Sequence, residues 1–128
     1  MGLDRKYLMF ALSYAVLGMG LGIFMAASHN HGQFVTHAHV LLIGFVVSLI
    51  YGVIHKLWLA EKPPAIALIQ FIVHQLGAAT VAVGLFLWYG GFVPMERIEP
   101  VPATGSVIVL LGALLMLYMV LTSRAVRT

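Results

Sequence analysis

Four long apolar runs alternate with three short polar stretches along the chain. The runs cover residues 7–27, 36–59, 64–89 and 102–122, and a helix of about 20 apolar residues crosses the ~30 Å hydrocarbon layer of a bilayer. Inside that layer each backbone N–H and C=O needs a partner within the protein, so each run is predicted to be a helix. Segments 29–35, 60–63 and 90–101 carry Gly, Pro or Asn and read as turns. The pattern predicts an all-α, integral membrane four-helix bundle, with residues 1–128 forming a single transmembrane domain. No convincing internal repeat stands out.

Composition agrees. Hydrophobic residues make up 62% of the chain and charged residues 9%, with a mean hydropathy of +1.03, whereas a soluble domain is roughly a quarter charged. Cysteine is absent, which excludes disulfides, thiolate metal sites and thiol chemistry. The formal net charge of +3 sits at the edges of the apolar runs. It is therefore a topology signal, and nucleic acid is not an expected partner. Arg5, Lys6, Lys56, Lys62, Arg124 and Arg127 fall on one side of the predicted membrane. Arg97 alone, beside Glu96 and Glu99, falls on the other. Loops rich in Lys and Arg stay cytoplasmic, so both the N and C termini are expected to be cytoplasmic and segment 29–35 to face outward. The basic start of the first run and its Met25-Ala26-Ala27-Ser28 end loosely suggest a secretory leader. The run is longer than the usual signal core and reads as a retained helix.

Six histidines carry the chemical interest: His29, His31, His37, His39, His55 and His74. Ionisable residues at membrane depth are costly and commonly mark a ligand, a cofactor or a proton path. Neutral imidazole is also the commonest metal ligand. His74 lies about ten residues inside the third run, where a purely structural role is the weaker reading. His29 and His31 sit in an aqueous loop, where solvation alone accounts for them as well as ligation does. Every Asp and Glu lies at a predicted membrane surface, and no nucleophile–base–acid constellation is visible. No catalytic residue is assigned, and hydrolase chemistry is not expected.

Helical geometry sorts the second run. At 100° per residue His37 and His55 point the same way, about 27 Å apart along the axis. Gly44, Ser48 and Tyr51 fall within about 40° of that line. His39 lies about 200° away from His37, with Ile43, Val46, Ile50 and Val53. Periodicity thus predicts His37 and His55 facing inward and His39 outward. In the third run Gln70, His74, Gly77, Ala78 and Val81 share a side on which small residues admit another helix or a flat ring. Gly18 and Gly22 of the first run read chiefly as helix packing.

Depth adds a second constraint. Folding the second run onto the third about Lys62 sets His74 opposite Ile50, with His55 about 7 Å nearer the cytoplasm. A tilted haem gripped by that pair is conceivable. His37 and His39 lie too far outward to share its iron, which suggests an inner and an outer metal level. Tyr14, Tyr51 and Tyr118 fall near the depth of His74, and Met25 near that of His39. Tyr51, Tyr118 and Met25 are therefore kept as supporting residues.

The stretch Thr36-His37-Ala38-His39-Val40-Leu41-Leu42-Ile43-Gly44-Phe45, continuing to Tyr51-Gly52-Val53-Ile54-His55, resembles the second helix of haem-copper oxidase and nitric oxide reductase catalytic subunits. Gln70-Phe71-Ile72-Val73-His74-Gln75-Leu76-Gly77, followed by Gly84-Leu85, looks like the next helix of short oxidase-like membrane proteins. The likeness covers residues 36–89 and implies that His39 or His37 holds a low-spin haem. It leans to His39, the wheel to His37, and both stay open. Oxidase catalytic subunits have about twelve spans and further haem and copper histidines. This chain has four predicted spans, so oxygen reduction by one copy is not implied.

The resulting expectation is a small membrane b-type cytochrome, holding one or two haem b groups through His37, His39, His55 and His74. Electron transfer or binding of a diatomic gas (NO or O2) would be its role. A second reading is a copper- or zinc-binding or transport protein with His29, His31, His37 and His39 as an outer site. A third is an accessory or assembly subunit of a respiratory oxidase. Expected partners are the lipid bilayer and either further copies of the chain or a larger respiratory complex, in a bacterial inner membrane.

Overall fold

A computed structural model of the chain describes residues 1–59 and 64–123. Four helices, α1 (Leu3–Ser28), α2 (Phe34–Leu57), α3 (Ala65–Tyr89) and α4 (Met95–Thr122), are each long and apolar enough to cross a membrane. Among the described residues there is no strand. The turn about Lys62, and Arg124 and Arg127 with it, lie outside the described residues. The protein is an all-α, multi-pass four-helix bundle. The end of the bundle carrying Arg5, Lys6 and Lys56 is called the basic end below, and the opposite one, with residues 29–33, the loop end.

Helices α1 and α4 outrun their apolar runs, because backbone hydrogen bonding does not stop where the oily sequence stops. α1 starts at Leu3 and takes Asp4, Arg5 and Lys6 into its first turns. α4 opens with a short turn, Met95–Ile98, that leads into Pro100–Thr122. Proline is at home there, since the N–H it lacks would have no partner in a first turn. α1 ends on His29 in the left-handed region, φ 55°. Ser28 and Asn30 then shape the turn: Asn30 N–H donates to Ser28 Oγ at 3.2 Å and Gly32 N–H to Asn30 Oδ1 at 3.0 Å.

The outward faces are oil. Val16, Ile23 and Leu121 are 68%, 71% and 74% exposed, a surface that suits lipid and not water. Hydroxyls on these helices donate back to their own backbone, as Ser13 does to the Met9 carbonyl and Thr80 to that of Leu76. Returning a hydroxyl proton to its own helix backbone spares that group from facing hydrocarbon unpaired.

Lipid tails are as apolar as leucine, so helix association in a bilayer rests on close packing and hydrogen bonds. Glycines make the close packing. A Cβ at Gly77 would lie 2.8 Å from the Val109 backbone nitrogen, and one at Gly105 2.9 Å from that of Val81. One at Gly84 would lie 3.0 Å from Pro102 N. These spacings press α3 and α4 together along most of their length. α1 presents Leu3, Tyr7, Ala11, Ala15, Gly18 and Met25 as a buried stripe, chiefly toward α2. At the basic end all four helices meet around Leu3, Tyr7, Tyr51, Ala67, Phe71, Met116 and Met119.

Candidate functional site

The second helix is not regular. Between Val40 and Val47 it widens into π-helical turns, in which each N–H reaches back five residues in place of four. The buried line along α2 becomes Thr36, Val40, Gly44 and Ser48, then Tyr51, Gly52 and His55. In a straight α-helix Thr36 and Ser48 would differ by about 120°. The wide turns absorb that drift. The straight wheel that paired His37 with His55 therefore needs correcting. His37 and His39 flank the buried line, both half-buried, while His55 lies on it. π-turns occur disproportionately at functional sites, and this one begins at the residue after His39.

Both imidazoles of the His37-Ala38-His39 segment are held the same way. His37 Nδ1 lies 2.7 Å from the Gly18 carbonyl of α1, and His39 Nδ1 lies 2.8 Å from the Val35 carbonyl of its own helix. A carbonyl only accepts, so each Nδ1 carries the proton and donates it. The lone pair is then on Nε2. This is the arrangement of a metal-binding imidazole, whose distal N–H is anchored by a carbonyl or carboxylate. Gly22 completes the seat of His37, because a Cβ there would lie 2.9 Å from the ring's Cε1. The Gly18 and Gly22 pair thus positions an imidazole as well as packing helices. Gln33 braces the start of α2: its Nε2 donates to the Phe86 carbonyl of α3 at 2.9 Å, and its Oε1 accepts from Thr36 Oγ1 at 2.6 Å.

Toward the basic end a different polar group is sealed in the core. His74 is wholly buried, and its Nε2 lies 3.1 Å from Ser48 Oγ. Depth reasoning set His74 opposite Ile50, and its neighbours Ser48 and Tyr51 straddle that level. Gln75 Nε2 donates to the same Ser48 hydroxyl at 3.3 Å. Tyr7 OH donates to Gln70 Oε1, and Gln70 Nε2 donates to the Gly112 carbonyl of α4 at 3.0 Å. One chain of bonds therefore joins α1, α3 and α4. The remaining nitrogens, His74 Nδ1 and His55 Nε2, and Gln75 Oε1 have no hydrogen-bond partner.

This inner group does not fit a haem. The Tyr7 ring, 0% exposed, stacks on His55 at 5.6 Å and lies 6.3 Å from His74. Tyr51 meets His74 edge-on at 5.0 Å. A porphyrin gripped between His55 and His74 would need the space these phenol rings fill. The small-residue face of α3 is also taken, by α4 rather than by a flat ring: Gly77 is against Val109 and Gly112 against His74.

The remaining candidates scatter. His29 and His31 are exposed in the turn after α1. Tyr118 is 55% exposed on α4, away from the imidazoles it was expected to support, whereas Met25 is buried at 4%. Tyr14 covers Gly44, where a Cβ would come within 2.5 Å of the ring. Among the described residues no three His, Asp or Glu side chains converge as a metal cage. Sequence reasoning overlooked Tyr7 and Gln75. Tyr7 had a legible signal in its place on the stripe Leu3, Tyr7, Ala11, Ala15; Gln75 had none. No family model, curated protein or solved structure matches the chain.

Proposed function

We propose that this protein is a small b-type cytochrome that holds haem through an imidazole of the His37-Ala38-His39 segment, for electron transfer or for binding a diatomic gas. The observation that carries the reading is the pair of Nδ1 hydrogen bonds to backbone carbonyls at 2.7 and 2.8 Å, which leave two Nε2 lone pairs for iron. Haem, when bound, supplies the one-electron couple or the gas-binding iron. The chain anchors the ligand ring, sets its tautomer through Gly18 and Val35, and surrounds it with apolar side chains of low dielectric.

His37 and His39 stand two residues apart on one helix, so they do not clamp opposite faces of one iron. Bis-imidazole ligation from this segment takes a second copy of the chain, and a lone ligand leaves the sixth position for a gas. Copper or zinc ligation is the competing use of the same Nε2 atoms, and it too draws on further ligands from another copy. The reading places the chain in a bacterial inner membrane, termini in the cytoplasm, with His37 and His39 near the outer face.

The test is a visible spectrum of the chain produced with ample haem and purified in detergent. A Soret band with reduced α and β bands is expected, lost in His39→Ala or His37→Ala and kept in His74→Ala. A colourless wild type, or pigment kept in the double variant of His37 and His39, rules the proposal out. Orientation is tested separately on this cysteine-free chain. Asn30→Cys should react with an impermeant maleimide added outside intact cells, and protection there would invert the topology.

A further inference from the structure

A groove of about 540 Å³ opens between the first turns of α1 and the last turns of α2, with no histidine in its lining. Its body is apolar, formed by Leu8, Met9 and Leu12 of α1 with Leu49 and Val53 of α2. Its basic-end rim carries Arg5 and Lys56, both exposed, with Asp4 as the one acidic group lining it among the described residues. Gly52 makes the floor thin: a Cβ there would lie 3.2 Å from the Asp4 carbonyl, so the two backbones nearly touch behind the groove. The volume is within the range of about 300–1,000 Å³ usual for small-ligand sites.

The direction of the groove identifies its occupant. Arg5 and Lys56 mark the level where the helices leave hydrocarbon, and Leu12 lies about 10 Å deeper along α1. A ligand that fills this slot has an anionic head at the membrane surface and a hydrocarbon tail running inward. We propose that the groove is a binding site for one anionic phospholipid, its phosphate paired with Arg5 and Lys56 and one acyl chain lying between α1 and α2. Among the described residues two cations stand against one carboxylate on this rim, which favours a net-negative headgroup over a zwitterionic one. Guanidinium presents a planar fork suited to phosphate, and the lysine adds a point charge. The site stands apart from the haem reading and does not depend on it.

The experiment uses the full chain in nanodiscs of phosphatidylcholine containing a minor fraction of phosphatidylglycerol. Native mass spectrometry then reads the lipid retained on the released protein. Wild type is expected to keep one phosphatidylglycerol per chain in preference to phosphatidylcholine. Arg5→Gln with Lys56→Gln, at two exposed positions, should lower that preference on the order of tenfold. Lys6→Gln removes a neighbouring charge that does not line the groove, and should change it by less than about twofold. Leu12→Trp, which fills the inner end, should release the bound lipid with both cations intact. Equal retention of the two lipids by wild type, no effect of the double variant, or an equal effect of Lys6→Gln overturns the proposal. Retention of a quinone in place of phospholipid overturns it as well.

Discussion

The two ends of the bundle treat imidazole in opposite ways. At the basic end His55 and His74 are the most deeply buried, enclosed by Tyr7, Tyr51 and Phe71, with their rings serving as packing surface. Toward the loop end His37 and His39 are only half-buried, yet each has Nδ1 anchored by a backbone carbonyl, which puts the lone pair on Nε2. Burial and availability therefore run in contrary directions here. An imidazole deep in a membrane bundle is costly, but the cost is met in one case by aromatic neighbours and a serine, and in the other by a backbone carbonyl. The second solution fixes Nδ1 as the donor and so puts the lone pair on Nε2.

The sharpest way to break this contrast is Tyr7→Ala. Tyr7 touches Tyr51, His55, Phe71 and His74 and bonds to Gln70. Its loss should destabilise the bundle by about 3 kcal/mol or more, read as a fall in melting temperature in detergent. An unaltered melt would mean that the basic end is not the structural core described here. Next in size is a crossed pair of substitutions. His74→Ala should cost about 2 kcal/mol through a cavity and a Ser48 hydroxyl left without its acceptor, with pigment kept. His39→Ala, at a half-buried site, should cost less than about 1 kcal/mol and remove or shift the pigment. Identical behaviour of the two variants would dissolve the distinction between the ends.

Gly22→Ala separates the two outer histidines. The new methyl group would lie 2.9 Å from His37 Cε1, so the ring must move and its bond to Gly18 weakens, at about 1 kcal/mol. If His37 holds the iron, the reduced spectrum and midpoint potential should shift; if His39 does, both should stay. The smallest effect belongs to Tyr7→Phe, which keeps the ring and deletes only the donor to Gln70. Hydrogen bonds between membrane helices average about 0.6 kcal/mol. A loss of several kcal/mol, measured by the same melt, would show the Tyr7–Gln70–Gly112 chain to be the main fastener of the bundle and not an accessory to packing.

Much of the architecture was readable before any coordinates. Four apolar runs of bilayer length became four helices, and the depth match of His74 with Ser48 and Tyr51 followed from counting residues about a turn. The site was less readable. Counting at 100° per residue placed His37 in line with His55, and the π-helical stretch Val40–Val47 undid that alignment. Tyr118 shared a depth with His74 but ended on the exposed side of α4, since depth says nothing about rotation.

Residue order alone was enough for the number, length and apolarity of the spans, because bilayer thickness and backbone pairing act on each segment separately. Neighbouring helices were needed to choose which nitrogen of His37 is anchored, which glycine seats its ring and what covers the widened stretch of α2. Those outcomes depend on a carbonyl or side chain contributed by a distant part of the chain: Gly18 for His37, Tyr14 over Gly44, Val109 against Gly77. No local property of α2 or α3 encodes such a meeting, so it becomes visible only once the helices are packed.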